Sequence, residues 1–149
     1  MEIKKIDEQE FITVLEKEEW LYLSTEANHH VTSRIVSHVN DGLKIYFYTN
    51  ENSTKAKQLK VNPNIAINLK YYFIEGVVTN LGPVVADKNK ELKTLYKNKF
   101  KGAFTNQDGT SSDDGDFYEI HITSIKQYIV TTTKNIGQDG PDDFAMTVY

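Results

Sequence analysis

Residues 31–63 have the sequence VTSRIVSHVNDGLKIYFYTNENSTKAKQLKVNP, and this stretch decides the fold. Its first part, Val31–Val39, is rich in the β-branched residues that favour strands. The turn Asn40-Asp41-Gly42 is a strong hairpin signal, so Lys44–Thr49 is predicted to be the next strand. A short helix then ends at Asn62-Pro63, because a proline disfavours helical backbone in the residue before it. The stretch therefore predicts strands followed by a helix.

The rest of the chain adds short strands and few helices. Trp20–Thr25 is predicted to pair with the Val31 strand, so that residues 20–49 form a β-meander. Gly76 marks a bend or a close backbone approach. Further strands are predicted at 65–73, 77–86, 117–123 and 126–132, and helices after the N-caps Asp7 and Asp87. Six or so short strands predict a closed barrel, and thus a mainly β fold with a few helices.

We expect residues 1–149 to form a single domain, with its core at about 10–130 and an irregular C-terminal tail at 134–149. The chain carries 21 acidic and 17 basic residues, and this net negative charge argues against a nucleic-acid partner. It has no cysteine, which excludes disulfides and thiolate catalysis and favours a cytoplasmic location. No long apolar run or signal-peptide pattern is present, so no membrane association is expected.

Motifs of common enzyme classes are missing. There is no nucleophile elbow, phosphate loop or dinucleotide-binding glycine motif, so hydrolase and nucleoside-triphosphatase functions lose support. No metal site is expected, since His29 and His30 adjoin in a predicted turn and the acidic residues near Asp113 lack calcium-loop spacing. We assign no catalytic side chain.

Arg34 is the only arginine among the 17 cationic residues. This fact fits codon bias, but a guanidinium also binds a phosphate through two parallel hydrogen bonds, which lysine cannot do. A predicted helix begins near Ser53, Thr54 and Lys55, and a helix N-terminus favours an anion. The alternative is that Ser53 only caps a surface helix and that Lys55 points into water.

Four segments in this order resemble the flavin-binding core of the pyridoxamine 5′-phosphate oxidase-like superfamily. The nearest likeness is to its small bacterial members of the general stress protein type, over about residues 10–130. The segments are Leu21-Tyr-Leu-Ser-Thr, Thr32-Ser-Arg-Ile-Val, Asp41-Gly-Leu-Lys-Ile-Tyr-Phe-Tyr-Thr-Asn and Ser53-Thr-Lys-Ala-Lys-Gln-Leu-Lys-Val-Asn-Pro63.

The resemblance implies a homodimeric split β-barrel that binds FMN at the subunit interface. It assigns Arg34 and Lys55 to the phosphate, and Ser53 and Thr54 to the turn around it. The other positions that it assigns to the flavin site are Ile35 and Val36, whose strand lies along the isoalloxazine, and Tyr48 and Thr49, at a strand end near the ring. Thr54 departs from the vitamin-forming oxidases, which commonly have a second arginine there. The aromatic strand residues also favour a homodimer: Tyr46, Tyr48, Tyr71, Tyr72 and Phe73.

The expected function is that of an FMN-dependent oxidoreductase acting on an unidentified small-molecule substrate or electron donor. Oxidation of pyridoxamine 5′-phosphate is not expected, because the segment 137–143 is acidic and Val39 stands where those oxidases present a cation to the substrate. One alternative is a flavin-binding stress, storage or sensor protein without turnover. Another is a split barrel that holds a deazaflavin or a heme, for which His38 is the residue to test.

Overall fold

The computed structural model describes residues 4–112, 114–128 and 144–149. Its helices are α1 (Glu8–Lys17), α2 (Thr54–Val61) and α3 (Lys90–Lys99), with a 3-10 turn at Asp87–Asn89 before α3. Its strands are β1 (Trp20–Ala27), β2 (His30–Ser37), β3 (Val39–Asp41), β4 (Lys44–Thr49), β5 (Asn64–Leu69), β6 (Tyr72–Pro83), β7 (Asp116–Tyr128) and β8 (Phe144–Val148). No helix in these ranges has the length and apolar character to cross a bilayer.

The strands form one antiparallel sheet in the order β2-β1-β5-β6-β7-β4-β3, with β8 also paired to β7. The strands β2 and β3 lie at opposite ends of this order, although only His38 separates them along the chain. Because one residue spans only a few ångströms, the sheet must curl until its two edges meet. The mainly β barrel predicted from the sequence is therefore confirmed.

The predicted β-meander over residues 20–49 is wrong. β1 and β2 form one hairpin and β3 and β4 form another, but β2 does not pair with β4. The predicted single strand Val31–Val39 breaks at His38, whose side chain is fully buried between the two hairpins and α1. Alternating apolar residues show that each segment is a strand, but not which strand lies beside it.

Two strand boundaries also differ from the sequence prediction. The β5–β6 hairpin turns at Lys70-Tyr71, where Lys70 adopts a φ of 51°, and not near Gly76. Gly76 lies inside β6 at a β-bulge, where a Cβ atom would sit 2.6 Å from the carbonyl oxygen of His121. The close backbone approach predicted at Gly76 is thus confirmed.

β7 is one continuous strand through Tyr128, where the sequence predicted two. The last residues of the predicted strand 126–132 lie outside the described residues, as does the acidic segment 137–143. The sequence predicted no regular structure over 134–149, whereas 144–148 form β8 against β7. The strand was missed because five residues are too few to show a clear alternation of apolar and polar side chains.

The apolar residues form two clusters. The larger fills the barrel beneath α1 and α2 and includes Phe11, Leu15 and Leu59. The smaller, here called the α3 cluster, packs α3 against β3, β4 and β7, and its buried members are Val39, Val84, Tyr96, Phe104 and Phe117. α2 lies over the first cluster, and its Gln58 side chain forms hydrogen bonds with the β1–β2 hairpin.

Candidate functional site

Arg34 lies on β2 opposite Leu23 of β1, and its side chain points to the inner face of the barrel wall. Its Nη1 donates to Thr25 Oγ1 at 2.7 Å and to the Leu23 carbonyl oxygen at 3.2 Å. Its Nη2 donates to Thr32 Oγ1. Partial burial lowers the pKa of Arg34, but no carboxylate pairs with it among the described residues. The guanidinium is thus held by neutral acceptors and keeps its full charge.

Thr25 and Thr32 face each other across the β1–β2 hairpin and connect Arg34 to α2. Both hydroxyls donate to Oε1 of Gln58, Thr25 at 2.5 Å and Thr32 at 2.7 Å. The Gln58 Nε2 donates to the carbonyl oxygen of His30 at 3.0 Å. Sequence reasoning did not select these three residues. A cross-strand threonine pair and a glutamine three residues after Lys55 become informative only when the strand register is known.

Lys55 lies near Arg34 at the start of α2. Its pKa is lowered, first by burial and second by the positive charge of Arg34. Within the described ranges, no ion pair or hydrogen bond neutralises it. Glu51, the acid nearest to this helix start in the sequence, instead pairs with Lys60 (Nζ to Oε2, 2.8 Å) and accepts from the Tyr118 hydroxyl at 3.0 Å. Two partly buried cations therefore lie close enough to repel each other, with no carboxylate paired to either among the described residues.

Ser53 is the N-cap of α2. Its Oγ accepts from the backbone N–H of Ala56 at 3.2 Å and from the Thr49 hydroxyl at 3.0 Å. Thr54 is exposed in the first turn. These bonds fix the helix start against the end of β4, and the N–H groups of the first turn lie next to Lys55.

Ile35 and Val36 occupy opposite faces of β2. Val36 is buried in the larger cluster, whereas Ile35 is 52% exposed on the outer face, across from Tyr22, which is 55% exposed. In the part of the chain that the structure describes, β2 pairs only with β1, so its other backbone edge has no strand partner.

Tyr48 belongs to a different environment from the other predicted site residues. Its ring packs in the α3 cluster, 5.0 Å from the Tyr96 ring and 4.6 Å from the Phe104 ring between centroids. Burial there raises the pKa of Tyr48. The structure therefore brings together Arg34 and Lys55 with the helix start, and places Tyr48 in an aromatic core.

His38 does not present a nitrogen to the surface. It is fully buried, and its Nε2 lies 3.0 Å from the carbonyl oxygen of Leu15 at the end of α1 and 3.4 Å from Nζ of Lys99. Burial and the charge of Lys99 lower the pKa of His38 to about 4. A neutral, enclosed imidazole of this kind gives no support to a heme ligand at this position.

Comparisons with known proteins agree with the architecture. No family model matches the chain, and no curated protein matches it. Among solved structures, the chain shares its fold with proteins that include a candidate pyridoxamine 5′-phosphate oxidase and a general stress protein. The fold predicted from the sequence resemblance is thus confirmed.

Three of these structures illustrate the likeness. A candidate pyridoxamine 5′-phosphate oxidase from Listeria innocua is 19% identical, with a TM-score of 0.64 over 79% of this chain and 94% of that one. General stress protein 26 from Bacillus anthracis is 18% identical, with a TM-score of 0.61 over 79% and 90%. The heme storage protein HutZ from Vibrio cholerae is 15% identical, with a TM-score of 0.61 over 77% and 89%. At these identities the likeness concerns the fold alone.

Proposed function

We propose that this chain binds FMN, with the phosphate held between Arg34, Lys55 and the first turn of α2. The observation that carries the proposal is the pair of partly buried cations with no carboxylate partner in the described ranges. Like charges in a partly desolvated place repel each other, and an anion between them removes that cost. The capped N-terminus of α2 adds N–H donors and a positive partial charge.

The chemistry of this donor set fits a terminal phosphate. A dianion can take charge-assisted hydrogen bonds from the guanidinium, the ammonium and the helix start, each contributing about 1.5–3 kcal/mol. Riboflavin offers only a neutral hydroxyl at that place, without the charge that strengthens these bonds, and FAD has a diester there. We therefore expect FMN to bind more tightly than either of these ligands.

Next to this phosphate site, the free edge of β2 and the exposed Ile35 would lie along the isoalloxazine ring. Tyr22 and Trp20 continue an apolar strip on the outer face of β1, with Trp20 60% exposed. Covering that strip by a second copy of the chain would shield the ring from water, and we propose a homodimer on this basis.

The proposed activity is that of an oxidoreductase with an unidentified small-molecule electron donor or substrate. When bound, FMN supplies hydride exchange at its N5 atom. The residues of this chain bind and orient it: Arg34 and Lys55 fix the phosphate, and β2 sets the position of the ring. No side chain is proposed as a general acid or base. A flavin store or sensor without turnover would use the same site, and reduction by a nicotinamide distinguishes the two.

The first measurement is the absorbance spectrum of the purified protein, together with the mass of any ligand that it releases. The test of the phosphate site is then calorimetric titration with FMN and with riboflavin. Lys55→Gln should weaken FMN binding about tenfold and leave riboflavin unchanged, because one charge-assisted contact is lost. Lys57→Gln is the matched control, since Lys57 is exposed on the same helix. Equal affinity for FMN and riboflavin in the wild type would disprove the phosphate site.

A further inference from the structure

We propose that Gln58 is a positioning residue that orients Arg34 toward the phosphate, an inference that rests on the proposed FMN site. Gln58 is buried in α2 and lies one turn after Lys55. Residues three apart share a helix face, so α2 presents Lys55 and Gln58 together to β2. Lys55 faces the anion directly, whereas Gln58 acts through the two threonines.

The hydrogen bonds that connect Gln58 to Arg34 through Thr25 and Thr32 have a fixed direction. The Nε2 of Gln58 donates to the His30 carbonyl oxygen, and this bond determines which end of the amide carries its oxygen. That oxygen accepts from both Thr25 and Thr32, so each hydroxyl hydrogen points toward Gln58. The lone pairs of both hydroxyls are then turned to the guanidinium, which donates to them from Nη1 and Nη2.

This arrangement leaves Arg34 with a defined pair of free donors. A guanidinium has five N–H groups, and the bonds to Leu23, Thr25 and Thr32 use three of them. The other two have no protein acceptor in the described ranges. Two donors on one planar group are what a bidentate contact with a phosphate requires. Gln58 therefore selects the rotamer and the face of Arg34 that meet the ligand.

Replacing Gln58 should disturb phosphate selection specifically. In Gln58→Leu both hydroxyls lose their acceptor and can turn their hydrogens toward Arg34, which no longer has two fixed acceptors. In Gln58→Glu the carboxylate still accepts from the hydroxyls, but it repels the His30 carbonyl and competes with the phosphate for Arg34. The second variant keeps the inference testable if the first does not fold.

The first experiment measures FMN and riboflavin affinity by calorimetry in each variant. We expect FMN binding to weaken about tenfold and riboflavin binding to change less than about twofold, so that the preference for the phosphate is lost. Gln127→Leu is the matched control, because Gln127 lies on β7 and contacts neither Arg34 nor α2. In a Thr25→Val, Thr32→Val background, Gln58→Leu should have little further effect, since the threonines transmit its action.

The second experiment reads Arg34 without any ligand. Since the chain has one arginine, its side-chain N–H groups give a single set of signals in an arginine-labelled NMR spectrum. We expect separate Nη signals at low temperature in the wild type, because a held guanidinium rotates slowly, and merged signals in Gln58→Leu.

The outcomes separate the two proposals. Variants that keep both the wild-type FMN-to-riboflavin ratio and the wild-type Arg34 signals overturn the role of Gln58 and leave the phosphate site standing. Equal loss of FMN and riboflavin affinity shows a merely structural role and also overturns it. A wild type that binds FMN and riboflavin equally overturns the phosphate site, and with it any part of Gln58 in phosphate selection.

Discussion

Arg34 donates from both terminal nitrogens, and this geometry determines what its replacement costs. In Arg34→Lys the charge stays, but one ammonium cannot reach two threonine hydroxyls and also offer two parallel donors to a phosphate. We expect FMN affinity to fall at least about tenfold, with riboflavin affinity unchanged, in calorimetric titrations. Unchanged FMN binding in this variant would mean that the single arginine reflects codon usage alone.

Protonation of the buried His38 should make the stability of the fold depend on pH. Its pKa is lowered from 6.5 to about 4 by burial and by Lys99, while Glu18 and the Leu15 carbonyl act in the opposite direction. Because the folded-state pKa lies below the unfolded one, the unfolded chain binds more protons between these values. Stability is therefore lost as the pH falls from about 7 toward 4.

The matched variant for this prediction is His38→Gln, which keeps a polar group able to hydrogen-bond with the Leu15 carbonyl or Lys99 but does not titrate. Between pH 7 and pH 5, we expect the wild type to lose about 2 kcal/mol more unfolding free energy than this variant, measured by urea denaturation. Parallel pH profiles for the two proteins would show that His38 is not the titrating group.

The residues of the proposed site differ in whether local sequence signals alone could identify them. Arg34 and Lys55 were predicted from a rare residue type and from a helix start, which are local signals. Gln58, Thr25 and Thr32 were missed because their role depends on the β1–β2 register and on the packing of α2 against it, and neither is encoded in local periodicity. The assignment of all eight residues to a flavin site remains a prediction: Arg34, Ile35, Val36, Tyr48, Thr49, Ser53, Thr54 and Lys55. The packing of Tyr48 in the α3 cluster argues for a structural role of that residue.

At the scale of single elements, predictions succeeded where local chemistry fixes the backbone. α2 begins after Ser53, which caps it, and ends before Pro63, as predicted. α1 begins after Asp7, whose Oδ1 accepts from the Glu10 N–H at 3.1 Å. The β5–β6 turn was missed because Lys70 takes a positive φ there, a conformation that the sequence signals most clearly through glycine or asparagine.

Replacing Gly76 by a residue with a side chain should disturb the pairing of β6 with β7. In Gly76→Ala the new Cβ atom would lie 2.6 Å from the His121 carbonyl oxygen of β7, and backbone cannot move aside cheaply. We expect a loss of about 1–3 kcal/mol in unfolding free energy by urea denaturation. Gly102→Ala is the control, because nothing lies within 4 Å of its added Cβ and its stability should not fall. Equal stability of the two variants would show that the β-bulge relaxes without cost.

At the scale of the whole molecule, the barrel closes because a single residue, His38, connects β2 and β3 at opposite ends of the strand order. The sequence predicted a barrel from the number of strands, but it could not show that β2 and β3 lie at opposite edges. That fact depends on non-local pairing, which is decided by packing of complete strands around a shared core.

The exposed apolar residues on the outer face of the barrel favour association of two copies of the chain. Of the aromatic residues that favoured a dimer, Tyr71 and Phe73 are partly exposed, whereas Tyr72 is buried. The strip formed by Trp20, Tyr22 and Ile35 is more exposed than these. We expect light scattering to give the mass of two chains, and Tyr22→Glu to give one, because a buried, unpaired charge opposes association.

The control for the dimer is Val85→Glu, which places the same charge at another exposed apolar residue outside the strip. It should leave the mass at two chains. A single-chain mass for the wild type carrying a full complement of FMN would contradict the homodimer.

Turnover of a phosphorylated substrate would require positive charge near the flavin in addition to the proposed FMN phosphate site. Arg34 is the only arginine and is assigned in our proposal to the FMN phosphate, while Val39, which the sequence resemblance places where the vitamin-forming oxidases present a cation, is buried in the α3 cluster. These two positions then offer no second phosphate clamp, so we expect no contacts there that discriminate a phosphorylated substrate.

We therefore expect negligible formation of pyridoxal 5′-phosphate from pyridoxamine or pyridoxine 5′-phosphate, followed by absorbance with the FMN-loaded protein and oxygen as acceptor. Slow reduction of the bound flavin by a nicotinamide should still occur, because hydride exchange at an exposed N5 needs no side chain. A rate within tenfold of a typical enzyme, about 10 per second, would contradict this account of the substrate side. Introducing Val39→Arg should not create the activity, since a residue in the α3 cluster cannot present its charge to a ligand without unfolding that cluster.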